Sequence, residues 1–271
     1  MHSILSVFSY SFMVNAFVAG TLISICAALI GVILVLKRYS MIGDGLSHVG
    51  FGALSLATVL GLSPLSVAIP VVVIAALMLM HINESSKIKG DAAIGLISTG
   101  ALALGIIIVS ASGVNTDLNS YLFGSILSLS DADMYMCTIL CTVVCILYVG
   151  LYNKIFSVTF DESFSKACGI KTNLYNSVIA VLTAVTIVLG MRMMGALLIS
   201  ALVIFPALTA MRIFKTFKTV SIFSAVISVF CFLTGIMISF IFSTPTGATV
   251  VTVNMILFAA FCIIEKIKRK S

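Results

Sequence analysis

SMIGDGLSHVGFG, residues 40–52, combines two ionisable side chains with closely spaced glycines, which let neighbouring helices approach. Asp44 and His48 are four residues apart, a spacing that places both side chains on one face of a helix, about one turn apart. A carboxylate oxygen and an imidazole nitrogen that converge in this way supply half of a site for a divalent transition metal such as zinc or manganese. The sequence therefore predicts that Asp44 and His48 bind a metal ion.

A structural role for the same pair is the alternative. In that interpretation Asp44 caps its helix and His48 forms a hydrogen bond inside the helix bundle. An ionisable pair within a membrane segment is costly and usually functional, which favours metal binding. The topology predicted below places Asp44 a few residues from the cytosolic end of its span, where capping costs little, and this favours the structural role. Both interpretations stay open.

The composition identifies the broad class of protein. Of the 271 residues, 61% are hydrophobic and 9% are charged, and the mean hydropathy is +1.26. A soluble domain of this length is far less apolar, so the sequence predicts an all-α, polytopic membrane protein with one transmembrane domain over residues 1–271. The formal net charge of +6 arises from basic residues in short gaps between apolar runs. That placement indicates membrane topology, and we expect contact with lipid and no nucleic-acid partner.

Nine apolar runs are long enough to cross a bilayer. With the N-terminus outside, all of the 15 Lys and Arg residues except Arg192 fall in cytosolic gaps, and the C-terminus is cytosolic. The runs 42–61 and 194–213 are the weakest, and eight spans with one re-entrant segment is the alternative. The nine runs are 12–36, 42–61, 64–82, 91–111, 132–152, 173–190, 194–213, 218–243 and 247–264.

The cytosolic gap over residues 153–172 has the pattern of a short amphipathic helix. Two acidic residues begin it, apolar residues recur at helical spacing, and a glycine ends it. Its apolar side must contact lipid, its own bundle or another protein, and lipid alone would favour more basic residues. We therefore expect a docking element for a cytosolic partner. The residues that we assign to it are Phe160, Asp161, Glu162, Phe164, Lys166 and Gly169.

Motifs for catalysis are absent from the sequence. It contains no GxxxxGK[ST] phosphate loop, no HExxH and no GxSxG elbow. We therefore expect no enzymatic activity in this chain and no ATP hydrolysis by that route. Cys137, Cys141 and Cys145 form a helical stripe, which we interpret as packing of small apolar side chains rather than a thiolate site.

Two other features each have two interpretations. Pro206 falls inside an apolar run, where its kink is either a functional hinge or an ordinary structural bend. The outer gap 112–133 contains acidic residues and no basic ones, so it either gathers cations or is a solvated loop. Within that gap, residues 119–129 are apolar enough to predict a short helix packed on the spans or on a docking partner.

Five segments together carry a resemblance to a known family. The chain resembles the permease subunits of ABC transporters for zinc and manganese, the family built around a zinc-uptake permease of the bacterial inner membrane. The segments occur in the family's order along nearly the whole chain, and Phe205, where the family often has isoleucine, is a conservative departure. They are LKRYSMIGDGLSHVGFGALSLA from Leu36, DLNSYLFGSILSLSDAD from Asp117, FDESFSKACGI from Phe160, MGALLISALVIFPALTAMR from Met194 and STPTGATVV from Ser243.

The resemblance implies an assembly and a function. Two copies of the permease would pair across a central path, two copies of a cytosolic ATPase would dock on the segment from Phe160, and an external binding protein would deliver the metal. Asp44 and His48 map onto the family's candidate metal contacts. Zn²⁺ would be the transported substrate, with no permanently bound cofactor, across the bacterial cytoplasmic membrane. Mn²⁺ or Fe²⁺ is the alternative substrate, and a proton-coupled secondary cation transporter is the alternative class of protein.

Overall fold

Within the residues that the structure describes, the chain folds into α-helices joined by short connections. The structure is a computed structural model, and it describes residues 11–85, 90–113, 124 and 131–268. The helices are α1 (Ser11–Leu36), α2 (Ile42–Val59), α3 (Pro64–Ser85), α4 (Gly90–Ser112), α5 (Asp131–Gly150), α6 (Tyr152–Phe160), α7 (Glu162–Ala167), α8 (Thr172–Met194), α9 (Ala196–Ile213), α10 (Phe217–Phe242) and α11 (Thr246–Lys268).

Local sequence explains several of the helix ends. Gly195 separates α8 from α9 with φ 89° and ψ 158°, a conformation that is essentially restricted to glycine. Thr216 caps α10, since its hydroxyl accepts a hydrogen bond from the Thr219 amide at 3.3 Å. Gly195 alone therefore separates the apolar helices α8 and α9, and residues 214–216 separate α9 from α10.

Seven of the described helices are long and apolar enough to cross a membrane: α1, α3, α4, α8, α9, α10 and α11. An eighth span is obtained if α5 and α6 count as one broken span, because their axes differ by 70°. The prediction of an all-helical membrane protein is confirmed, and the eight-span alternative agrees with this count. The one remaining expected run, 42–61, forms α2, which contains Asp44 and His48 and is not among the candidate spans.

Helices α1 and α8 form the centre of the bundle, and α4 and α11 are the least covered of the candidate spans. Helix α1 packs against α5, α8, α9 and α10, whereas α2 packs between α3 and α4 and also contacts α8 and α9. The residues predicted to bind metal are therefore carried by a helix that other helices surround.

Close backbone contacts hold α2 against α4. A Cβ atom on Gly52 would lie 2.8 Å from the Ala101 carbonyl oxygen, and one on Gly105 would lie 2.9 Å from the Gly52 Cα. Neither contact leaves room for a side chain, because a backbone carbonyl cannot move aside as a flexible side chain can. The glycines near the predicted metal site thus have a packing function, as their spacing indicated.

Basic residues gather at one end of the bundle, which we call the basic end. Lys37, directly after α1, contacts Asn176 near the start of α8. Phe217, at the start of α10, packs on aromatic rings of α6, and Arg212 near the end of α9 pairs with Glu265 of α11 at 3.2 Å. This is the end that the charge distribution predicts to be cytosolic. Four residues of that distribution lie outside the described residues, namely Lys87, Lys89, Arg269 and Lys270.

Candidate functional site

Helix α2 brings Asp44 and His48 together as the sequence predicts. The His48 Nε2 atom lies 3.6 Å from the Asp44 Oδ2 atom, and the two side chains are 24% and 45% exposed, respectively. Met41 is the N-cap residue and its side chain makes no capping hydrogen bond, so Asp44 lies inside the first turn and is not the cap. A carboxylate there still interacts favourably with the positive end of the helix dipole.

Three other helices approach α2 around this pair. Gly45 faces the Ile94 side chain of α4, and a Cβ at Gly50 would lie 2.7 Å from the Met191 methyl group of α8. A Cβ at Gly43 would lie 3.8 Å from the Val203 Cγ1 atom of α9. The backbone of α2 is therefore enclosed where it carries the pair, while the Asp44 side chain itself remains almost half exposed.

Ser200 is a neighbour of the pair that the sequence did not indicate. Its hydroxyl lies close to the Asp44 carboxylate. The Ser200 hydroxyl is buried, and it makes no hydrogen bond of good geometry within the part of the chain that the structure describes. A buried hydroxyl gains from a strong partner, so a group that binds beside Asp44 would also meet the Ser200 oxygen. The local sequence gives no signal for this, because Ser200 lies on α9, far from α2 in the chain.

The pair alone is an incomplete metal site. Among the described residues, no group of three or more His, Cys, Asp or Glu side chains is placed to hold a metal ion. Asp44 and His48 supply one oxygen donor and one nitrogen donor, fewer than the four to six ligands that first-row divalent metals take.

The region predicted to dock a partner, residues 153–172, contains most of α6, all of α7 and the turn that follows. We call residues 152–169 the docking segment. Asp161 caps α7, because its Oδ1 atom accepts a hydrogen bond from the Phe164 amide at 2.8 Å. Phe160 and Phe164 are 58% and 63% exposed. Gly169 ends the segment with φ 79°, a left-handed conformation that favours glycine.

Aromatic rings attach the docking segment to the bundle. The Phe156 ring lies 4.9 Å from the Phe160 ring, centroid to centroid, and 5.4 Å from the ring of Phe217. Tyr152 also lies 5.4 Å from Phe217. These rings cover one side of α6, and the exposed parts of Phe156, Phe160 and Phe164 form the uncovered apolar surface of the segment.

Glu162 faces the bundle and not the uncovered surface. Its Oε1 atom lies 2.8 Å from the Lys166 ammonium, and its Oε2 atom accepts a hydrogen bond from the Asn176 amide at 3.3 Å. Partial burial would raise the pKa of Glu162, but these two hydrogen bonds, together with the positive charges of Lys166 and Lys37, lower it below its ordinary value. Glu162 therefore stays ionised and ties α7 to α8.

The remaining sequence predictions have mixed outcomes. Pro206 lies buried within α9, which is continuous from Ala196 to Ile213, and whether it is a hinge stays a prediction. The cysteine stripe packs against Cys26 of α1, whose sulfur lies 3.6 Å from the Cys145 sulfur. The short helix predicted over 119–129 lies outside the described residues except for Gly124, which packs against the backbone at Met194 and Gly195.

Comparison with known proteins places these features in a family. A profile of the ABC 3 transport family matches residues 9–265. The manganese import system permease protein ScaB of Streptococcus gordonii is 30% identical over 265 residues, which cover 96% of this chain and 95% of that protein. A probable iron transport system membrane protein of Haemophilus influenzae is 30% identical over 255 residues, covering 94% of this chain and 90% of that protein.

Solved structures share the fold. PsaBC from Streptococcus pneumoniae, in complex with a Fab, matches with a TM-score of 0.85 and 30% identity, over 95% of this chain and 93% of that chain. An inward-facing structure of a metal-chelate type ABC transporter matches with a TM-score of 0.77 at 16% identity, a likeness in fold alone, over 96% of this chain and 88% of that chain. The resemblance stated from the sequence segments is therefore confirmed at the level of the family.

Proposed function

This chain belongs to the ABC 3 transport family, and from that premise we propose that it is the permease subunit of an ATP-driven importer for a divalent transition-metal ion. The observation that carries the proposal is the Asp44 and His48 pair, held 3.6 Å apart on a helix that four other helices contact. Placing an ionisable pair among membrane helices costs free energy, and such pairs are usually retained because they serve a function.

We propose Mn²⁺ as the substrate, with Fe²⁺ second. The relatives described above are named for manganese and iron, and the expectation of zinc gains no support from those names. The chemistry of the site agrees, because the Asp44 carboxylate and the nearby Ser200 hydroxyl add oxygen donors to the single His48 nitrogen. Oxygen donors suit manganese, whereas zinc prefers sites richer in nitrogen and sulfur.

Transport proceeds by alternating access around this pair. Two copies of the chain line a central path, and each copy contributes its Asp44 and His48 to a shared site. The incomplete ligand set of one copy and the 45% exposure of Asp44 support this arrangement. A few ligands per copy bind the ion weakly enough for release on the other side.

Energy for transport comes from a separate ATPase that binds the docking segment. The exposed rings of Phe160 and Phe164 provide the apolar contact, and Lys166, whose side chain is 56% exposed, lies on the same short helix as Phe164. The basic end is then the cytosolic end, as the distribution of Lys and Arg predicts for a bacterial cytoplasmic membrane. A metal-binding protein delivers the ion at the opposite end.

Uptake measurements test the proposal. Cells that produce the permease with its ATPase and binding protein are supplied separately with radioactive manganese, iron and zinc. Asp44→Asn and His48→Gln, which keep side-chain size, are expected to reduce uptake to background while the membrane content of the permease stays normal. Thr58→Ala is the matched control, since Thr58 is an exposed residue of the same helix whose hydroxyl donates a hydrogen bond to the Leu54 carbonyl of its own turn at 2.8 Å.

The outcomes separate the alternatives. Loss of manganese uptake in both variants supports the assignment of the site and of the substrate. Loss of zinc or iron uptake instead keeps the site and changes the substrate. Normal uptake in both variants makes Asp44 and His48 structural. Uptake that continues without the ATPase and collapses with the proton gradient indicates a secondary cation transporter.

A further inference from the structure

We propose that Asn176 is a positioning residue that links the docking segment to the connection between α1 and α2, so that movement of a docked ATPase reaches the helix with Asp44 and His48. This inference rests on the proposed function and adds the route by which the two sites are coupled. The route is a chain of polar side chains, Lys166–Glu162–Asn176–Lys37, which we call the polar relay.

The side-chain amide of Asn176 both accepts and donates a hydrogen bond. Its Oδ1 atom accepts a hydrogen bond from the Lys37 ammonium at 2.6 Å, and its Nδ2 atom donates one to the Glu162 carboxylate at 3.3 Å. The residue is 4% exposed, so the amide has little access to water. One buried side chain therefore bridges a positive and a negative group that lie on different parts of the chain.

At one end, the polar relay begins in the docking segment. Glu162 is the first residue of α7, and its second carboxylate oxygen pairs with Lys166 one turn later at 2.8 Å. The buried Ser165 hydroxyl bonds to Ser157 of α6 at 2.7 Å, so α6 and α7 are joined to each other as well. A force applied to the exposed Phe164 ring of α7 thus reaches Glu162 through a short, hydrogen-bonded unit.

At the other end, the polar relay reaches the connection that leads into α2. Lys37 follows the last residue of α1, and Arg38 adopts φ 63°, which turns the chain sharply. The Tyr39 amide bonds back to the Leu34 carbonyl at 2.7 Å, and the Ile42 amide bonds to the Tyr39 carbonyl at 3.0 Å. The connection is therefore compact, and a displacement of Lys37 passes directly to the first turn of α2.

Burial makes the two hydrogen bonds of Asn176 hard to break separately. A buried polar group that loses its partner is destabilising, and hydrogen bonds to charged groups are stronger than neutral ones. Lys37, Asn176 and Glu162 consequently move together when α7 moves, because separation at either link breaks a hydrogen bond between the buried amide and a charged group. This makes the polar relay suitable for transmitting a displacement and not merely for filling space.

A coupling measurement in lipid vesicles tests the inference. The permease is co-purified with its ATPase, reconstituted, and supplied with the metal-loaded binding protein, and metal uptake and ATP hydrolysis are measured on the same sample. For Asn176→Ala we expect uptake to fall about tenfold while hydrolysis falls less than about twofold, the range of a coupling free energy. A residue that only stabilised the fold would lower both activities together.

Asn173→Ala is the matched control, because Asn173 is exposed on the first turn of the same helix. It is expected to leave both activities unchanged. A ratio of metal transported to ATP hydrolysed that is equal in wild type and Asn176→Ala overturns the inference alone. A wild-type permease that neither binds the ATPase nor takes up metal overturns the proposed function, and the inference falls with it.

A charge exchange tests the polar relay even if Asn176→Ala fails to accumulate. Lys37→Glu and Glu162→Lys each place equal charges at both ends of the Asn176 amide, and each is expected to lower the ratio. The double variant Lys37→Glu/Glu162→Lys lets the amide rotate and bond to both ends again, so the ratio should recover. A double variant no better than either single variant overturns the inference.

Discussion

Helix α2 and the docking segment are both predicted from short sequence patterns, but their surfaces are defined in opposite ways. In α2, the glycines at 45, 50 and 52 remove side-chain atoms, and neighbouring helices fill the space down to the backbone. In the docking segment, Phe160 and Phe164 add large side chains that nothing in the described chain covers fully. The first surface is covered by helices of the same chain, and the second is left exposed.

This difference predicts how each region fails. The glycine surface of α2 is disrupted when a side chain is added to it, because the close-packed backbone of the neighbouring helix cannot move away. A surface made of exposed side chains is damaged when atoms are removed, and the fold of the chain itself is then unaffected. Adding and removing atoms in each region therefore separates effects on assembly of the fold from effects on partner binding.

The largest effect is expected for Gly52→Leu. The new side chain would collide with the Ala101 carbonyl of α4, and overpacking of this kind costs about 1–3 kcal/mol or more when backbone must move. The apparent melting temperature of the purified permease and its amount in the membrane should both fall. Gly100→Leu is the control, since a Cβ there meets nothing within 4 Å; an equal loss in both variants would contradict the packing role of Gly52.

A weaker and more selective effect is expected for Phe164→Ala. Truncation of an exposed aromatic anchor should weaken ATPase binding by roughly 10- to 100-fold, as at other protein interfaces, and leave the melting temperature unchanged. Binding is measured with the purified ATPase on immobilised permease. Phe242→Ala, which removes an equally large exposed ring (70%) from the far end of α10, should not alter binding. Equal binding by wild type and Phe164→Ala would remove α7 from the interface.

Ser200→Ala sharpens the comparison within the proposed metal site. The hydroxyl beside Asp44 is buried and does not contribute to helix packing through a hydrogen bond among the described residues. Its removal is expected to lower the apparent metal affinity of uptake by about tenfold, the lower range for groups that support metal ligands. Membrane content should stay normal. An unchanged concentration dependence of manganese uptake would show that Ser200 does not contact the ion or its ligands.

The smallest effect is a pH dependence at Glu162. The pKa of Glu162 is lowered in the folded protein by Lys166, Asn176 and Lys37, so its ionised form stabilises the fold above the ordinary pKa. That contribution is lost as the pH falls through the folded-state pKa, and it is below about 1 kcal/mol because the ion pair is partly exposed. The melting temperatures of wild type and Glu162→Gln should therefore converge on acidification. A gap that stays constant would contradict the ionised role.

Features that lie within one helix could be predicted from the sequence. The spacing of Asp44 and His48 places them together on α2, and the capping of α7 by Asp161 follows from its position before an amphipathic run. The apolar runs give the spans because a bilayer requires about 20 apolar residues per crossing. The bend between α5 and α6 was missed, since a hydropathy window averages over a change of direction.

Features that join distant residues could not be predicted in the same way. Ser200 reaches Asp44, and Asn176 reaches Lys37, only because helices from separate parts of the chain pack together. Nothing in the local pattern around Asn176 distinguishes it from Asn173, which is exposed on the same helix. A polar residue in an apolar run signals that a partner exists, and the fold alone decides which residue that partner is.

The 70° bend between α5 and α6 has a mechanical consequence. A force on α7 acts at an angle to α5 and not along its axis, so it arrives at the bend as a torque. The rings of Tyr152 and Phe156, next to that bend, pack on Phe217 of α10, so α6 is held against α10 at this point. In the proposed transporter, a small rotation of the ATPase against the docking segment would therefore become a sideways displacement of the helix ends at the basic end.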